Sequence, residues 1–436
     1  MNFANRIDRK TALTAAVLLV MAVPVIFFIW VVMTYKASVP WRDDYDAVLN
    51  FLNQFVSSPA LSGKLAAIWA QRNHRIVFPH LVFLVPYLVG GKADFNFYIL
   101  FGDLAWLIGV GALIYYLYRK YELPVWSLVP LPFLLFSLRL LDPMLWADSG
   151  VPVFSSLCFS ILFFIALSED RIAWACVLFL LSFFAWGDGS VLYPLGLLYF
   201  AANRQWKNLA IFAGIGLAGL IGYLVGFRLV VAGGLARHID LRQSVLFILE
   251  FLGGIHFEFI PKVSIDIELG AVFLLASLYF LIRRRTIDFA MLLIGLAIST
   301  AIVAAYTRGG FGVQRASISR YAEFSMLMFV GLYVYTLTTI KRPAVNIAIS
   351  ALVTVIMVAF WFMPIPAEVG PKGGLYWERK YRLTDVAIYA ESGVDSGLNY
   401  AKNTDKDHAF AASVLDESLR LGVYDPQVAV DALKPK

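Results

Sequence analysis

The chain has 436 residues, of which 60% are apolar, 15% aromatic and only 15% charged, with a formal net charge of +6. Soluble globular domains are about 45–50% apolar and about 25% charged, so this composition excludes a secreted or cytosolic soluble enzyme and a disordered, collagen-like or coiled-coil chain. The basic residues lie mostly between apolar runs, which indicates membrane topology rather than a nucleic-acid partner.

The apolar runs predict an all-α polytopic membrane protein with about 11 transmembrane helices, because about 20 apolar residues cross a bilayer as one helix. A basic segment precedes the first run and no small-residue cleavage site follows it, so we expect a retained anchor. The runs at 172–186 and 189–203 are short and also fit a re-entrant pair. In chain order the runs lie near 11–34, 96–118, 125–141, 151–168, 172–186, 189–203, 209–231, 270–283, 289–306, 321–340 and 344–363.

The connections between these runs alternate between short basic segments and longer segments rich in aromatic residues and glycine. By the positive-inside rule, the N-terminus is cytoplasmic and the longer loops and the C-terminus are periplasmic. We therefore predict a transmembrane domain over residues 1–363 and a small periplasmic helical segment over 364–436. Within the apolar runs, Cys158 and Cys176 are expected to be buried side chains rather than a disulfide.

The first outer loop, residues 35–95, opens with three carboxylates in four residues, Asp43, Asp44 and Asp46. Because like charges this close repel one another, one of these acids should have a raised pKa or a cationic partner. Aspartate also favours loop starts and helix N-termini, so an ordinary solvated turn is the alternative.

A basic cluster lies near the other end of the same loop and comprises Arg72, His74, Arg75 and His80. Arginine forks bind phosphate oxygens and a carboxylate can accept a proton from a hydroxyl, so the two clusters together fit transfer of a group from a phosphate. Taken alone, His80 fits an interfacial hydrogen bond better. The apolar run 81–89 is too short to span and is expected to lie along the outer leaflet.

The last outer loop contains three arginines and no acid, Arg308, Arg315 and Arg320, among several glycines. Outward arginines without acids nearby favour an anionic ligand, although anchoring to lipid headgroups explains them as well. Single acids at other outer helix ends, Asp142, Asp148 and Asp188, fit either helix caps or sugar binding, since Asp148 and Asp188 lie close to tryptophans. An interfacial helix over 241–257 explains this segment better than a metal site at His256 and Glu258.

This arrangement resembles the GT-C superfamily of integral-membrane glycosyltransferases, including bacterial O-antigen-modifying and aminoarabinose-type transferases. The resemblance is architectural over about 360 residues and is sharpest in Val39–Asp46, Gln71–Pro79 and Ser319–Tyr321, with Asp43-Asp44 in place of the usual Asp-Glu pair. It implies a polyprenyl-phosphate-linked sugar donor such as an undecaprenyl phosphate sugar, and a cell-surface glycan or lipid acceptor such as lipopolysaccharide. It also implies location in a bacterial inner membrane and inversion at the anomeric carbon.

The resemblance also implies roles for individual residues. Asp43 would be the catalytic base and Asp44 the second acid of the pair, while Arg72, Arg75, Arg308, Arg315 and Arg320 would bind the donor phosphate. Substrate binding would fall to Asp46, His74, His80, Asp148, Asp188 and Tyr321. Some relatives use a divalent metal, Mg²⁺ or Mn²⁺, beside the acid pair; the sequence predicts no metal ligands and leaves this cofactor open. No nucleotide-binding motif is present, as expected when the donor is activated by its lipid phosphate.

Three other functions compete with the transferase. A transporter or lipid flippase would carry charges at mid-span on broken helices, and the spans here look almost free of charge. A surface-polysaccharide polymerase or ligase would share the topology but places its main arginine-rich outer loops late in the chain. A non-enzymatic scaffold would not require the outward arginines.

Overall fold

The computed structural model describes residues 9–71, 74–227, 240–255, 263–284, 287–398 and 405–434. These residues are almost entirely helical, and the only β contact among them is a single bridge between Gln71 and Arg75. The α-helices are α1 Arg9–Tyr35, α2 Phe51–Ser57, α3 Leu61–Trp69, α4 Val77–Gly90, α5 Phe95–Lys120, α6 Pro130–Leu135, α7 Leu141–Leu145, α8 Ala147–Ser168, α9 Ile172–Ala185, α10 Leu192–Ala202, α11 Trp206–Leu224, α12 Leu241–Gly253, α13 Val263–Arg284, α14 Phe289–Arg308, α15 Ala322–Thr339, α16 Pro343–Phe362, α17 Ile365–Glu368, α18 Gly374–Ser392, α19 Asp405–Arg420 and α20 Gln427–Leu433.

Nine helical segments of the described chain are long and apolar enough to cross a membrane. This confirms a polytopic helical membrane protein. The predicted runs 172–186 and 189–203 form α9 and α10, which have 14 and 11 residues and fall short of the roughly 20 that a bilayer requires. The nine segments are Thr11–Tyr35, Phe95–Lys120, Val125–Leu145, Ala147–Ser168, Trp206–Leu224, Ile265–Arg283, Phe289–Phe311, Ser319–Thr339 and Pro343–Glu368.

The chain divides into two compact units. Unit 1 comprises Met1–Val31, Val110–Leu140 and Ala236–Pro366, and unit 2 comprises Val32–Gly109, Leu141–Leu235 and Ala367–Lys436. The C-terminal segment, predicted as a small appendage, thus packs in the same unit as the first outer loop. The apolar run 81–89 of that loop lies in α4, a helix of 14 residues that is capped after Gly90 by Gly91 with a left-handed φ of 74°.

Unit 1 is built on close backbone contacts between neighbouring helices. In α15, Gly331 faces Ala290 of α14, and a Cβ on Gly331 would lie 2.7 Å from the Ala290 carbonyl oxygen. Buried polar groups are satisfied locally: the Tyr333 hydroxyl donates to the Ser127 carbonyl oxygen at 2.7 Å and lies 2.8 Å from Ser350 Oγ. Small residues and internal hydrogen bonds are the usual means of packing helices in lipid.

In unit 2, α5 and α8 run parallel, as expected when one span separates them in the chain. A Cβ on Gly102 would lie 2.7 Å from the Gly150 carbonyl carbon, and the rings of Trp106 and Phe154 stack with centroids 5.0 Å apart. The prediction that Cys158 and Cys176 are buried and form no disulfide is also confirmed, because both are buried and free.

We predict that Gly102→Val destabilises the protein by about 1–3 kcal/mol, the range typical of overpacked cores, because its side chain must displace the α8 backbone. Gly111→Val in the same helix is the matched control, since no atom lies within 4 Å of a Cβ there. Thermal unfolding of the detergent-purified variants measures the difference. Equal melting temperatures for both variants would contradict the close contact of α5 with α8.

Candidate functional site

The acid motif, Asp43, Asp44 and Asp46, lies where the turn after α1 meets a π-helix at Tyr45–Asn50. Arg42 has a φ of 51°, a left-handed conformation that costs free energy for any residue other than glycine. Its guanidinium lies 5.4 Å from the ring centroids of both Trp41 and Trp146, and its Nη1 lies 3.6 Å from Asp142 Oδ1. A strained backbone fixed by packing and charge is typical of functional sites.

Asp44 is buried and acts as a helix cap. Its Oδ2 accepts a hydrogen bond from the Trp41 N–H at 2.9 Å and its Oδ1 accepts one from the Asp148 N–H at 2.8 Å. Asp148 lies in the first turn of α8, so Asp44 satisfies an amide that the helix itself leaves without an acceptor. Burial raises the pKa of Asp44 well above its usual range and the Asp148 carboxylate adds to this, whereas the two amides and Arg382 oppose it.

The neighbouring acids of the motif are accessible. Asp43 and Asp46 of the motif are half-buried, as is Asp142 in α7. The Asp43 carbonyl oxygen accepts from the Ala47 N–H at 2.8 Å and so begins the helical turn, and Asp46 Oδ1 accepts from Asn50 Nδ2 at 3.0 Å. Of the two predicted catalytic acids, Asp43 is therefore the one that solvent or a substrate can reach.

Helix α18 of the C-terminal segment contributes two residues that sequence analysis missed, Arg382 and Glu378. Arg382 donates to the Leu145 carbonyl oxygen at 2.8 Å and to Glu378 Oε1 at 2.5 Å, and its Cζ lies 4.4 Å from the Trp41 ring centroid. Burial raises the pKa of Glu378, but Arg382 and Arg42 outweigh it and hold that pKa below its usual range. The only sequence signal was the i, i+4 spacing of this acid and base.

Two residues of the predicted basic cluster have structural contacts. The Arg75 guanidinium donates to three carbonyl oxygens, those of Trp69 at 2.5 Å, Tyr223 at 3.0 Å and Val225 at 2.9 Å, at the ends of α3 and α11. His80 is buried, stacks on Phe51 with centroids 4.1 Å apart, and its Nδ1 lies 2.8 Å from the Ile68 carbonyl oxygen.

The other two residues of the basic cluster are Arg72 and His74. Arg72 lies outside the described residues. His74 lies against Trp186, with ring centroids 4.8 Å apart, and a Cβ on Gly187 would lie 2.4 Å from His74 Nδ1. The half-buried Asp188 follows in the next position of the chain. The structure therefore brings together the segments of two predicted substrate-binding residues, His74 and Asp188.

The predicted phosphate-binding arginines of the last outer loop lie in unit 1. Arg308 is the last residue of α14, and Arg315 and Arg320 lie on two short 3₁₀ turns, Val313–Ser317 and Ser319–Tyr321. Arg315 is exposed, Arg320 is half-buried, and the half-buried Arg308 has its Cζ 5.9 Å from the ring of the buried Tyr321. Arg139, which sequence analysis did not select, holds this loop: it donates to the Ser317 carbonyl oxygen and to that of Gly254, and its own carbonyl oxygen accepts from Ser319 Oγ at 2.7 Å.

The acid motif does not form a ligand set for a divalent metal. Both Asp44 oxygens accept from backbone amides, and within the described ranges no group of three His, Cys, Asp or Glu could hold a metal ion. The hypothetical pair His256 and Glu258 lies in the part of the chain that the structure does not describe.

Comparison with known proteins gives no match to a protein-family model, to a curated protein or to a solved structure.

We predict that Asp44→Asn lowers the free energy of unfolding by about 1–3 kcal/mol, because its amide would turn an N–H toward a backbone N–H and leave a buried donor unsatisfied. Asp43→Asn is the matched control one residue away and should melt with the wild type. Thermal unfolding in detergent measures both variants. A wild-type melting temperature for Asp44→Asn would refute the capping role.

Proposed function

We propose that this protein is an integral-membrane glycosyltransferase that moves a sugar from a polyprenyl-phosphate-linked donor to a cell-surface glycan or lipid acceptor on the periplasmic side of a bacterial inner membrane. The observation that carries the proposal is the first-loop site. There the accessible Asp43 follows Arg42 in the chain, and the Arg42 guanidinium lies near the two indole rings of Trp41 and Trp146. The buried Asp44 fixes this turn by accepting a hydrogen bond from the Trp41 N–H.

Each group in this site has a chemical role in glycosyl transfer. Asp43 accepts the proton of the acceptor hydroxyl, whose oxygen attacks the anomeric carbon of the donor. The bond between that carbon and the phosphate oxygen breaks with inversion, and its electron pair leaves on the polyprenyl phosphate. The Arg42 guanidinium neutralises the charge that develops there.

The assignment of roles differs from the sequence hypothesis in two respects. Asp44 becomes a positioning residue, because both of its oxygens are engaged by amides. Among the unit 2 arginines, Arg42 replaces Arg75 as the phosphate ligand, because the Arg75 fork is occupied by carbonyl oxygens. The exposed Arg315 stays a candidate in unit 1, and the His74, Trp186 and Asp188 group offers an aromatic and acidic surface suited to a sugar ring.

Asp43→Asn is expected to reduce transfer by about 10²–10⁴-fold, the usual contribution of a general base, while the protein inserts and melts like the wild type. The assay supplies the purified protein with synthetic polyprenyl-phosphate sugars and a crude surface-glycan acceptor, with and without Mg²⁺ or Mn²⁺. Mass spectrometry measures the polyprenyl phosphate released.

Glu417→Gln is the control, because Glu417 is an acid of the same unit that pairs with Arg420 on the surface of α19. It should retain full activity. Full activity in Asp43→Asn would remove the base assignment, and no release by the wild type with any donor would remove the transferase proposal.

A transporter or flippase is the second candidate, and one observation favours it. Asp103 is buried within α5, and neither carboxyl oxygen has a hydrogen-bond partner among the described residues. Ionisable side chains inside a membrane are costly and typically mark substrate or ion pathways. Asp103 is an exception to the prediction that the membrane spans carry almost no charge.

If Asp103 serves transport, Asp103→Asn should abolish movement of a fluorescent polyprenyl-phosphate lipid across proteoliposome membranes, whereas Asp94→Asn should not, since Asp94 caps the exposed start of α5. Dithionite quenching measures the lipid distribution. Equal distributions with the wild type, with Asp103→Asn and without protein would remove the second candidate.

A further inference from the structure

Unit 1 contains a cavity of about 310 Å³ at the ends of three membrane-spanning segments. Leu123 and Trp126 lie at the start of Val125–Leu145, Leu337 and Ile340 at the end of α15, and Lys341 and Asn346 at the start of α16. Because the lining comes from the ends of spans, the cavity lies at the level where hydrocarbon meets the polar interface. Its volume is near the lower end of small-molecule sites, roughly 300–1,000 Å³.

Hydrogen bonds within unit 1 fix the wall of this cavity. Asn346 Nδ2 donates to the carbonyl oxygens of both Leu337 and Ile340 at 3.0 Å, which fixes the turn between α15 and α16. Close by, the Tyr333 hydroxyl donates to the Ser127 carbonyl oxygen and so holds the first turn of Val125–Leu145 against α15. These bonds preform the cavity without any ligand.

The charge and polarity of the lining indicate what fits. Leu123, Leu337 and Ile340 make most of the surface apolar, Trp126 is half-buried, and Lys341 is exposed. No Asp or Glu belongs to the lining, and no ion pair of Lys341 is recorded among the described residues. A lysine and a tryptophan beside apolar side chains at a span end are typical contacts for a lipid headgroup.

We propose that this cavity binds the headgroup of an anionic phospholipid, with the phosphate on the Lys341 ammonium and the glycerol and first acyl carbons against Trp126 and the apolar wall. A zwitterionic headgroup such as phosphocholine has the same phosphate but adds a quaternary ammonium, whose repulsion of Lys341 offsets part of the attraction. A soluble anion would gain nothing from the apolar wall. The proposal is independent of the proposed transferase activity, because all of its residues belong to unit 1 and the acid motif belongs to unit 2.

Native mass spectrometry of the full-length protein in detergent tests the proposal by titration with phosphatidylglycerol and with phosphatidylcholine. We expect preferential retention of phosphatidylglycerol. Lys341→Gln should weaken it about fivefold, the effect typical of one lysine at an anionic membrane surface. Arg342→Gln is the matched control: it removes the same charge one residue away, and Arg342 is exposed but does not line the cavity.

A second variant separates the cavity from surface charge. Ile340→Trp fills the cavity without changing the charge and should also release phosphatidylglycerol. Equal retention of both lipids, or equal losses in Lys341→Gln and Arg342→Gln, would overturn the proposal. Displacement of phosphatidylglycerol by inorganic phosphate at matching concentration would overturn it as well, because it would show a site for a free anion.

Discussion

The two hydrogen bonds accepted by Asp44 are the constraint on which the candidate site depends. A buried carboxylate is costly unless donors surround it, and the amides of Trp41 and Asp148 supply that compensation. In return the carboxylate satisfies an amide in the first turn of α8 and fixes the backbone of Trp41. That indole carries Arg382 on its face, and the next residue, Arg42, takes its strained conformation beside it. Two adjacent acids thereby acquire different roles, one structural and one accessible.

Within unit 2, the C-terminal segment packs on the first outer loop. Asn53 of α2 is buried with both ends of its amide satisfied: Nδ2 donates to the Val414 carbonyl oxygen and Oδ1 accepts from Ser418 Oγ, each at 3.0 Å. The Ala93 N–H donates to the Val423 carbonyl oxygen at 2.7 Å. These buried contacts, more than the exposed pair of Lys92 and Asp425, hold the segment on the first outer loop. Arg382 can reach Leu145 only because the segment is docked in this way.

Hydropathy was sufficient to predict the helical membrane class and the position of nine spans, because lipid imposes one length and one polarity on every crossing helix. The buried, free cysteines also followed from the apolar runs that contain them. The role of Arg75 did not, since a side chain in an outer loop looks the same in sequence whether it meets a phosphate or a carbonyl oxygen. Arg382 was missed because Leu145 and Trp41, its partners besides Glu378, lie more than two hundred residues away in the chain.

The irregular span Val125–Leu145 requires side-chain donors for its backbone. Pro130, Pro132 and Pro143 interrupt its helix, and carbonyl oxygens freed within a membrane must find donors in the protein. Side chains supply them: Trp361 Nε1 donates to Phe136, Ser319 to Arg139 and Arg382 to Leu145. An arginine engaged in this way has little capacity left for a ligand. A phosphate site therefore requires an arginine with an accessible guanidinium group, such as Arg42, which is followed in the chain by the accessible Asp43.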